Sequence, residues 1–128
     1  MNRTRGFTLI EILVALTMFA VVGGVLLQLF HNGLRSARLA GEQTHAAMLA
    51  KSKLTELQAF RSLSEGELTG EFDDGYRWQA TLSENTELKE RYPGALQPLD
   101  LNLTISWGND DAASTFSVET LLLSRESP

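Results

Sequence analysis

The feature that most constrains this chain is a strongly apolar run near its N-terminus. No residue with a formal charge lies between Glu11 and Arg35, which leaves 23 uncharged positions, 12 to 34. At ~1.5 Å per residue, a helix of this length extends roughly 34 Å, enough to cross a bilayer core of about 30 Å. The run therefore predicts a helix that spans a membrane.

Outside this run the chain is polar and acidic. It has 128 residues, a net charge of −5 and no cysteine. The length allows one small domain, and the lack of cysteine excludes disulfides, thiolate metal sites and cysteine nucleophiles. Nucleic-acid binding requires clustered Lys and Arg. No such cluster is present, so we expect no nucleic-acid partner.

The basic residues Arg3 and Arg5 precede the apolar run. By the positive-inside rule, the N-terminus stays in the cytoplasm and the rest of the chain is exported. Three interpretations fit this layout: a secretory signal peptide cut after the run, a plain single-span anchor, or a leader cut before the run. A signal peptide requires a small-x-small site after its apolar region, and Val21 and Val22 make that fit poor.

Glu11 separates these interpretations. A carboxylate in an apolar segment costs on the order of 3 kcal/mol at mid-membrane and less near the interface. A plain anchor or a signal peptide gains nothing from such a residue. Glu11 is therefore a candidate functional residue that needs a positively charged partner.

The segment from Arg5 to Leu16, RGFTLIEILVAL, resembles the N-terminal signature of type IV pilins and pseudopilins. The resemblance implies that residues 1–6 are a prepilin leader and that prepilin peptidase cuts between Gly6 and Phe7. It also implies that the same enzyme methylates the new amino group of Phe7. The acidic residue of the family maps onto Glu11, which becomes the candidate assembly residue.

Elementary electrostatics agrees with this assignment. Cleavage creates an ammonium group at Phe7, and Glu11 of one subunit can meet the Phe7 ammonium of a neighbour. At ~4 Å and an effective dielectric constant of about 20, the attraction is about 4 kcal/mol, before desolvation reduces it. The alternative is that Glu11 only snorkels to the lipid headgroups.

Beyond the apolar run the helical pattern continues, with one apolar face. We predict one long helix from Thr8 to Leu63, with residues 7–34 in the membrane and residues 35–63 in the periplasm. Lys53 is expected to lie off the apolar face. That face is formed by four residues at spacings of three and four: Ala47, Ala50, Leu54 and Leu57.

Residues 64–128 predict a small antiparallel sheet. Apolar and polar residues alternate in Tyr76–Leu82 and Leu99–Trp107, and Phe116–Leu123 is suited to a partner strand. The stretches before the first strand and between the first two strands are expected to be loops. Trp78 and Trp107 are expected to fill the core. The fold class is then α+β, a long helix packed on a small sheet, as the resemblance also implies for a pilin domain.

The sequence contains no recognisable catalytic arrangement. We therefore expect no enzymatic activity, no cofactor and no metal site. The acidic pairs Asp73-Asp74 and Asp110-Asp111 leave calcium binding open, although neither pair has the spaced oxygen ligands of a known loop. His31 and His45 are too far apart to suggest a shared metal and are interpreted as residues of the helix surface.

The segment from His45 to Leu57, HAAMLAKSKLTEL, is similar to the minor pseudopilin family called general secretion pathway protein I. Lys51-Ser52-Lys53 departs from the more acidic or amide-rich run of that family. The resemblance implies a single-pass inner-membrane subunit of the type II secretion system, with its C-terminal domain in the periplasm. It would form or initiate the tip of a periplasmic pseudopilus with other minor and major pseudopilins. The alternatives are a minor subunit of a type IV pilus and a pilin-like binding module.

Overall fold

The computed structural model describes residues 5–60 and 62–125. Arg3, on which the orientation argument partly depends, and the rest of residues 1–4 lie outside the described residues. The elements follow in this order: helix α1 (Leu9–Ala59), strands β1 (Gly66–Glu71) and β2 (Arg77–Glu84), helix α2 (Thr86–Arg91), strand β3 (Leu96–Trp107), a short 3-10 helix (Asp110–Ala112) and strand β4 (Ser114–Arg125).

The chain divides into two compact units, residues 1–41 and residues 42–128. In the first unit, every large apolar side chain from Phe7 to Leu34 is between 48% and 84% exposed. So much exposed apolar surface is stable only in lipid or against other apolar chains. Among the described residues, α1 is the one helix with the length and composition of a membrane span.

The second unit is built on a four-stranded antiparallel sheet in the order β1-β2-β3-β4. Alternate residues of β3 point into the core, and the four from Leu99 to Ile105 are at most 1% exposed. They pack with the end of α1, where Ala46, Ala50 and Leu57 are buried. This arrangement confirms the predicted α+β fold and all three predicted strands.

Helix α1 ends four residues before the predicted boundary at Leu63. Leu63 instead makes two hydrogen bonds to the side chain of Ser124 on β4. Its N–H donates to Ser124 Oγ and its carbonyl accepts from the same hydroxyl, both at 2.9 Å. These two bonds therefore pair both backbone groups of Leu63 as the chain turns from the helix toward the sheet.

The buried face of α1 is also displaced from the prediction. Ala46 is fully buried, whereas Ala47 is only half-buried. Lys53 does not lie off this face, since its side chain is only 13% exposed. Its ammonium group lies 4.0 Å from the ring centre of Trp78, so the apolar stem packs while the charge meets an aromatic face.

Two elements replace predicted loops. Strand β1 was missed because Gly66 and Gly70 are typical of turns and because an exposed edge strand shows no alternation of apolar and polar residues. Helix α2 was missed because it is short and buries no residue completely. Its start is fixed by Asn85, whose side-chain Oδ1 accepts a hydrogen bond from the N–H of Leu88 at 2.9 Å.

Candidate cleavage and assembly site

The predicted cleavage site lies in the short stretch that precedes α1. Gly6 and Phe7 have no regular secondary structure and are exposed, with the Phe7 side chain 81% accessible. The peptide bond between them is therefore open to a protease. Most of the predicted leader, residues 1–4, lies outside the described residues.

Thr8 caps the start of α1. Its carbonyl accepts hydrogen bonds from the N–H groups of Glu11 and Ile12 at 3.1 and 3.2 Å, and its hydroxyl accepts from the Glu11 N–H at 3.3 Å. A Thr followed three residues later by Glu is the pattern of a capping box. The sequence therefore contains a signal for the start of α1. Thr8 therefore fixes Glu11 in the first helical turn.

The Glu11 carboxylate is exposed, and it lies where the helix dipole favours a negative charge. Glu11 and Phe7 line the same shallow groove along α1, and Glu11 is the one ionisable residue there. The other lining residues are apolar: Ile12, Ala15, Leu16 and Phe19. Such a groove presents one strong hydrogen-bond acceptor among apolar side chains.

In each acidic pair that left calcium binding open, one carboxylate has another partner. Asp74 binds His45 through its Oδ2 and accepts a bond from the Tyr76 N–H at 3.4 Å. The hydrogen bond from His45 is the main cause of the lowered pKa of Asp74. Asp110 pairs with Arg77 at 2.8 Å. Over residues 5–60 and 62–125, no group of three or more His, Cys, Asp or Glu residues could hold a metal.

His45 belongs to a side-chain cluster that joins α1 to the sheet. Its ring meets Tyr76 edge-on at 4.9 Å, and Tyr76 stacks on Trp107 at 5.4 Å. Trp107 Nε1 donates to Glu42 at 3.2 Å. Burial, followed by the charges of Glu42 and Asp74, raises the pKa of Tyr76. The role of His45 is thus to anchor the β1–β2 turn, and no local sequence signal relates it to Asp74, 29 residues away.

The sequence is similar to a known N-terminal motif and to several known proteins. Residues 1–27 match the prokaryotic N-terminal methylation motif. The chain is 40% identical over 81 residues to type II secretion system protein I of Pseudomonas aeruginosa, an alignment that covers 62% of this chain and 63% of that relative. No solved structure matches the chain significantly.

Two further relatives with the same name align over more of the chain. The protein of Xanthomonas campestris pv. campestris is 29% identical over 84% of this chain and 83% of its own length. That of Klebsiella michiganensis is 27% identical over 96% of this chain and 98% of its own length. The chain thus carries the prokaryotic N-terminal methylation motif and is similar to type II secretion system protein I over 62% to 96% of its length.

Proposed function

We propose that this protein is a minor pseudopilin, a structural subunit of the type II protein secretion system. The observation that carries the proposal is the combination of the methylation motif in residues 1–27 with similarity to type II secretion system protein I along most of the chain. The exposed apolar first unit supports a subunit that is buried only in lipid and among other subunits. Its contribution is structural and not catalytic.

Processing is the first step of the proposed role. Prepilin peptidase removes residues 1–6 by cutting between Gly6 and Phe7, and the amino group of Phe7 is methylated. The position of this bond in an exposed stretch before α1 supports the assignment. Methylation retains the positive charge of the new N-terminus.

The proposed topology follows from the charge and composition of α1. Residues 7–34 cross the inner membrane once, and residues 35–63 lie in the periplasm, where α1 continues as far as Ala59. Residues 64–128 form the sheet domain in the periplasm. The basic residues Arg3 and Arg5 before the span support this orientation, because positive charge favours the cytoplasmic side.

Assembly depends on Glu11 in this proposal. The carboxylate of one subunit meets the methylated ammonium of Phe7 on a neighbour, and the apolar groove around Glu11 receives the neighbouring helix. The partners are the other minor pseudopilins, with which this protein forms or initiates the pseudopilus tip, and the major pseudopilin below them. Prepilin peptidase is the processing partner.

A deletion strain tests the proposal. Loss of the gene should abolish export of the proteins that depend on type II secretion, and the wild-type chain should restore it. Twitching motility, which depends on type IV pili, should be unchanged. Normal export together with lost twitching would overturn the proposal in favour of a pilus subunit.

A further inference from the structure

Strand β4 forms an open edge of the sheet in the described residues. It is 12 residues long and follows β3 in the strand order, so one side of its backbone pairs with no strand. Its charged residues are Glu119 and Arg125. The opposite edge, β1, has six residues and includes Glu67 and Glu71. A long edge with few charges is the kind that pairs with another chain unless something covers it.

The two faces of β4 near its C-terminal end both border grooves. Leu121 and Leu123 point away from α1 and line a groove of about 420 Å³ with Tyr92 and Leu96. A second groove of about 280 Å³ follows the edge itself and is bordered by Leu122 and Ser124 on the α1 side, with Phe60, Leu121 and Leu123 also among its lining residues. Five apolar side chains around these grooves are 43–69% exposed: Phe60, Tyr92, Leu96, Leu121 and Leu123. We call these five residues the β4 patch.

We infer that the β4 edge receives an extended strand from a neighbouring pseudopilin subunit, with apolar residues of that strand filling both grooves. This inference depends on the proposed function for the identity of the neighbour. Successive side chains of a strand point to opposite faces, so one added strand places alternate residues in the two grooves. Its backbone also supplies the donors and acceptors that the edge of β4 requires, which a helix cannot do because its own backbone groups are already paired.

Charge favours a different subunit over a second copy of this chain. Charges of both signs flank the β4 patch: Arg125 ends β4 and Arg91 adjoins Tyr92, whereas Glu87 and Glu90 lie in the same short helix as Arg91. The chain as a whole carries −5, and two copies repel each other at long range. The preferred occupant is therefore a strand of a different subunit, with apolar residues on both faces.

Single cysteines provide the test, because the natural chain contains none. The full chain is prepared as Leu121→Cys and as Leu123→Cys and is produced in the membrane with the other pseudopilins of the same system. These subunits each carry one cysteine, scanned along their exposed strands. Thr81→Cys, exposed on the same face of the sheet but on the interior strand β2, is the control.

The expected result is disulfide crosslinking at alternate partner positions. The best partner position should move by two residues between Leu121→Cys and Leu123→Cys, and Thr81→Cys should give no crosslink. The substitution Leu123→Lys, added to the Leu121→Cys chain, should reduce crosslinking about tenfold or more. Loss of a side chain at the centre of an interface typically has an effect of this size. Thr81→Lys in the same background should leave it unchanged.

Three results would overturn the inference. A shift of three or four positions would indicate a helix, and crosslinked dimers of this chain would indicate a second copy. The third is crosslinking through a cysteine in α1, introduced as Leu16→Cys, without any at 121 or 123. In that case the proposed function stands and the β4 edge is not an interface. Absence of crosslinks from α1 as well as from β4 would contradict the proposed function itself.

Discussion

Gly70 and Trp78 face each other across β1 and β2 so closely that no side chain fits at position 70. They are partners in the antiparallel register, and a Cβ placed on Gly70 would lie 2.6 Å from Nε1 of the indole. The Lys53 ammonium lies 4.0 Å from the centre of the same ring. The indole therefore contacts both the end of α1 and the edge strand β1. Position 70 of β1 is a glycine because the indole occupies the space that a side chain would need.

Replacing Gly70 by Ala should destabilise the second unit. The Cβ would meet the rigid part of the indole, so the ring must shift from its place beside Lys53. Overpacking of this kind typically costs about 1–3 kcal/mol. Urea unfolding followed by tryptophan fluorescence measures the change. Gly94→Ala is the matched control, because a Cβ at Gly94 meets nothing within 4 Å. Equal stability of the two variants would show that the indole moves freely.

The cluster around Tyr76 predicts a loss of stability in alkali. The pKa of Tyr76 is raised above 10.0 in the folded state, chiefly by burial. The folded protein therefore holds the phenol proton more tightly, and this contribution to stability is fully present below pH 10. It is lost as the pH rises from about 10 through the folded pKa.

Tyr76→Phe should remove this part of the alkaline loss, as measured by the free energy of unfolding between pH 8 and pH 11. Tyr92→Phe is the control, because Tyr92 is 69% exposed. An alkaline slope that is the same in Tyr76→Phe and in the wild-type protein would contradict the assignment.

Asp74 predicts the opposite behaviour in acid. Its pKa is lowered from 3.8, mainly by the hydrogen bond from His45. The stability that this carboxylate contributes is present above pH 3.8 and is lost as the pH falls through the lower, folded pKa. Asp74→Asn should therefore lower the stability at pH 6 and flatten the acid limb of the stability curve. Asp73→Asn, at the neighbouring exposed position, should leave both unchanged. Thermal unfolding at a series of pH values distinguishes the two variants.

The local rules of strand formation explain which parts of the fold could be predicted. The alternation of Leu99 to Trp107 fixed β3, because a strand with one buried face must repeat every two residues. The end of α1 at Ala59 could not be predicted in this way. It depends on the two hydrogen bonds between Leu63 and Ser124, which are 61 residues apart. In the same way, Lys53 has the composition of a surface residue, and only the position of Trp78 makes it part of the packed face.

The functional residues also fall into two groups: those that a local motif indicates and those that only folding brings together. Gly6, Phe7 and Glu11 lie within one short motif, so the sequence alone is enough to propose them, and their roles stay predictions. The Thr8 cap was also readable from the pattern of Thr and Glu. By contrast, the His45–Asp74 pair and the β4 patch are created by the folding of distant segments. Periodicity carries no information about such pairs until the strand order is known.

A fragment that begins at Arg35 should be soluble and folded. Every residue of the second unit, which begins at Glu42, is retained, and the exposed apolar surface of residues 7–34 is removed. The expected results are a single cooperative unfolding transition and strand and helix signals in circular dichroism. A fragment that stays unfolded, even when its partner subunits are added, would show that the domain boundary is wrong.

Substitution of Glu11 by Val should separate membrane insertion from assembly. Insertion depends on the apolar run from Ile12 to Phe30, and Val removes a polar cost of up to a few kcal/mol from the start of the span. The mutant should therefore insert at least as well as the wild-type protein. The Thr8 cap is made through the backbone N–H of residue 11 and is retained. Cleavage after Gly6 should be unchanged, with a mature protein that starts at methylated Phe7 in mass spectrometry.

Assembly should fail in the same mutant. The Phe7 ammonium of the neighbouring subunit loses its counter-charge inside a packed helical bundle, and breaking one half of a buried ion pair typically costs about 3–5 kcal/mol. This cost reduces incorporation by more than a hundredfold at a fixed subunit concentration. Glu11→Asp is the matched control, because it retains the charge on a shorter side chain and should recover part of the crosslinking to partner subunits. Normal crosslinking and normal secretion with Glu11→Val would mean that the carboxylate only reaches the headgroups. In that case the ion pair is not the mechanism of assembly, although the methylation motif and the similarity to type II secretion system protein I would remain.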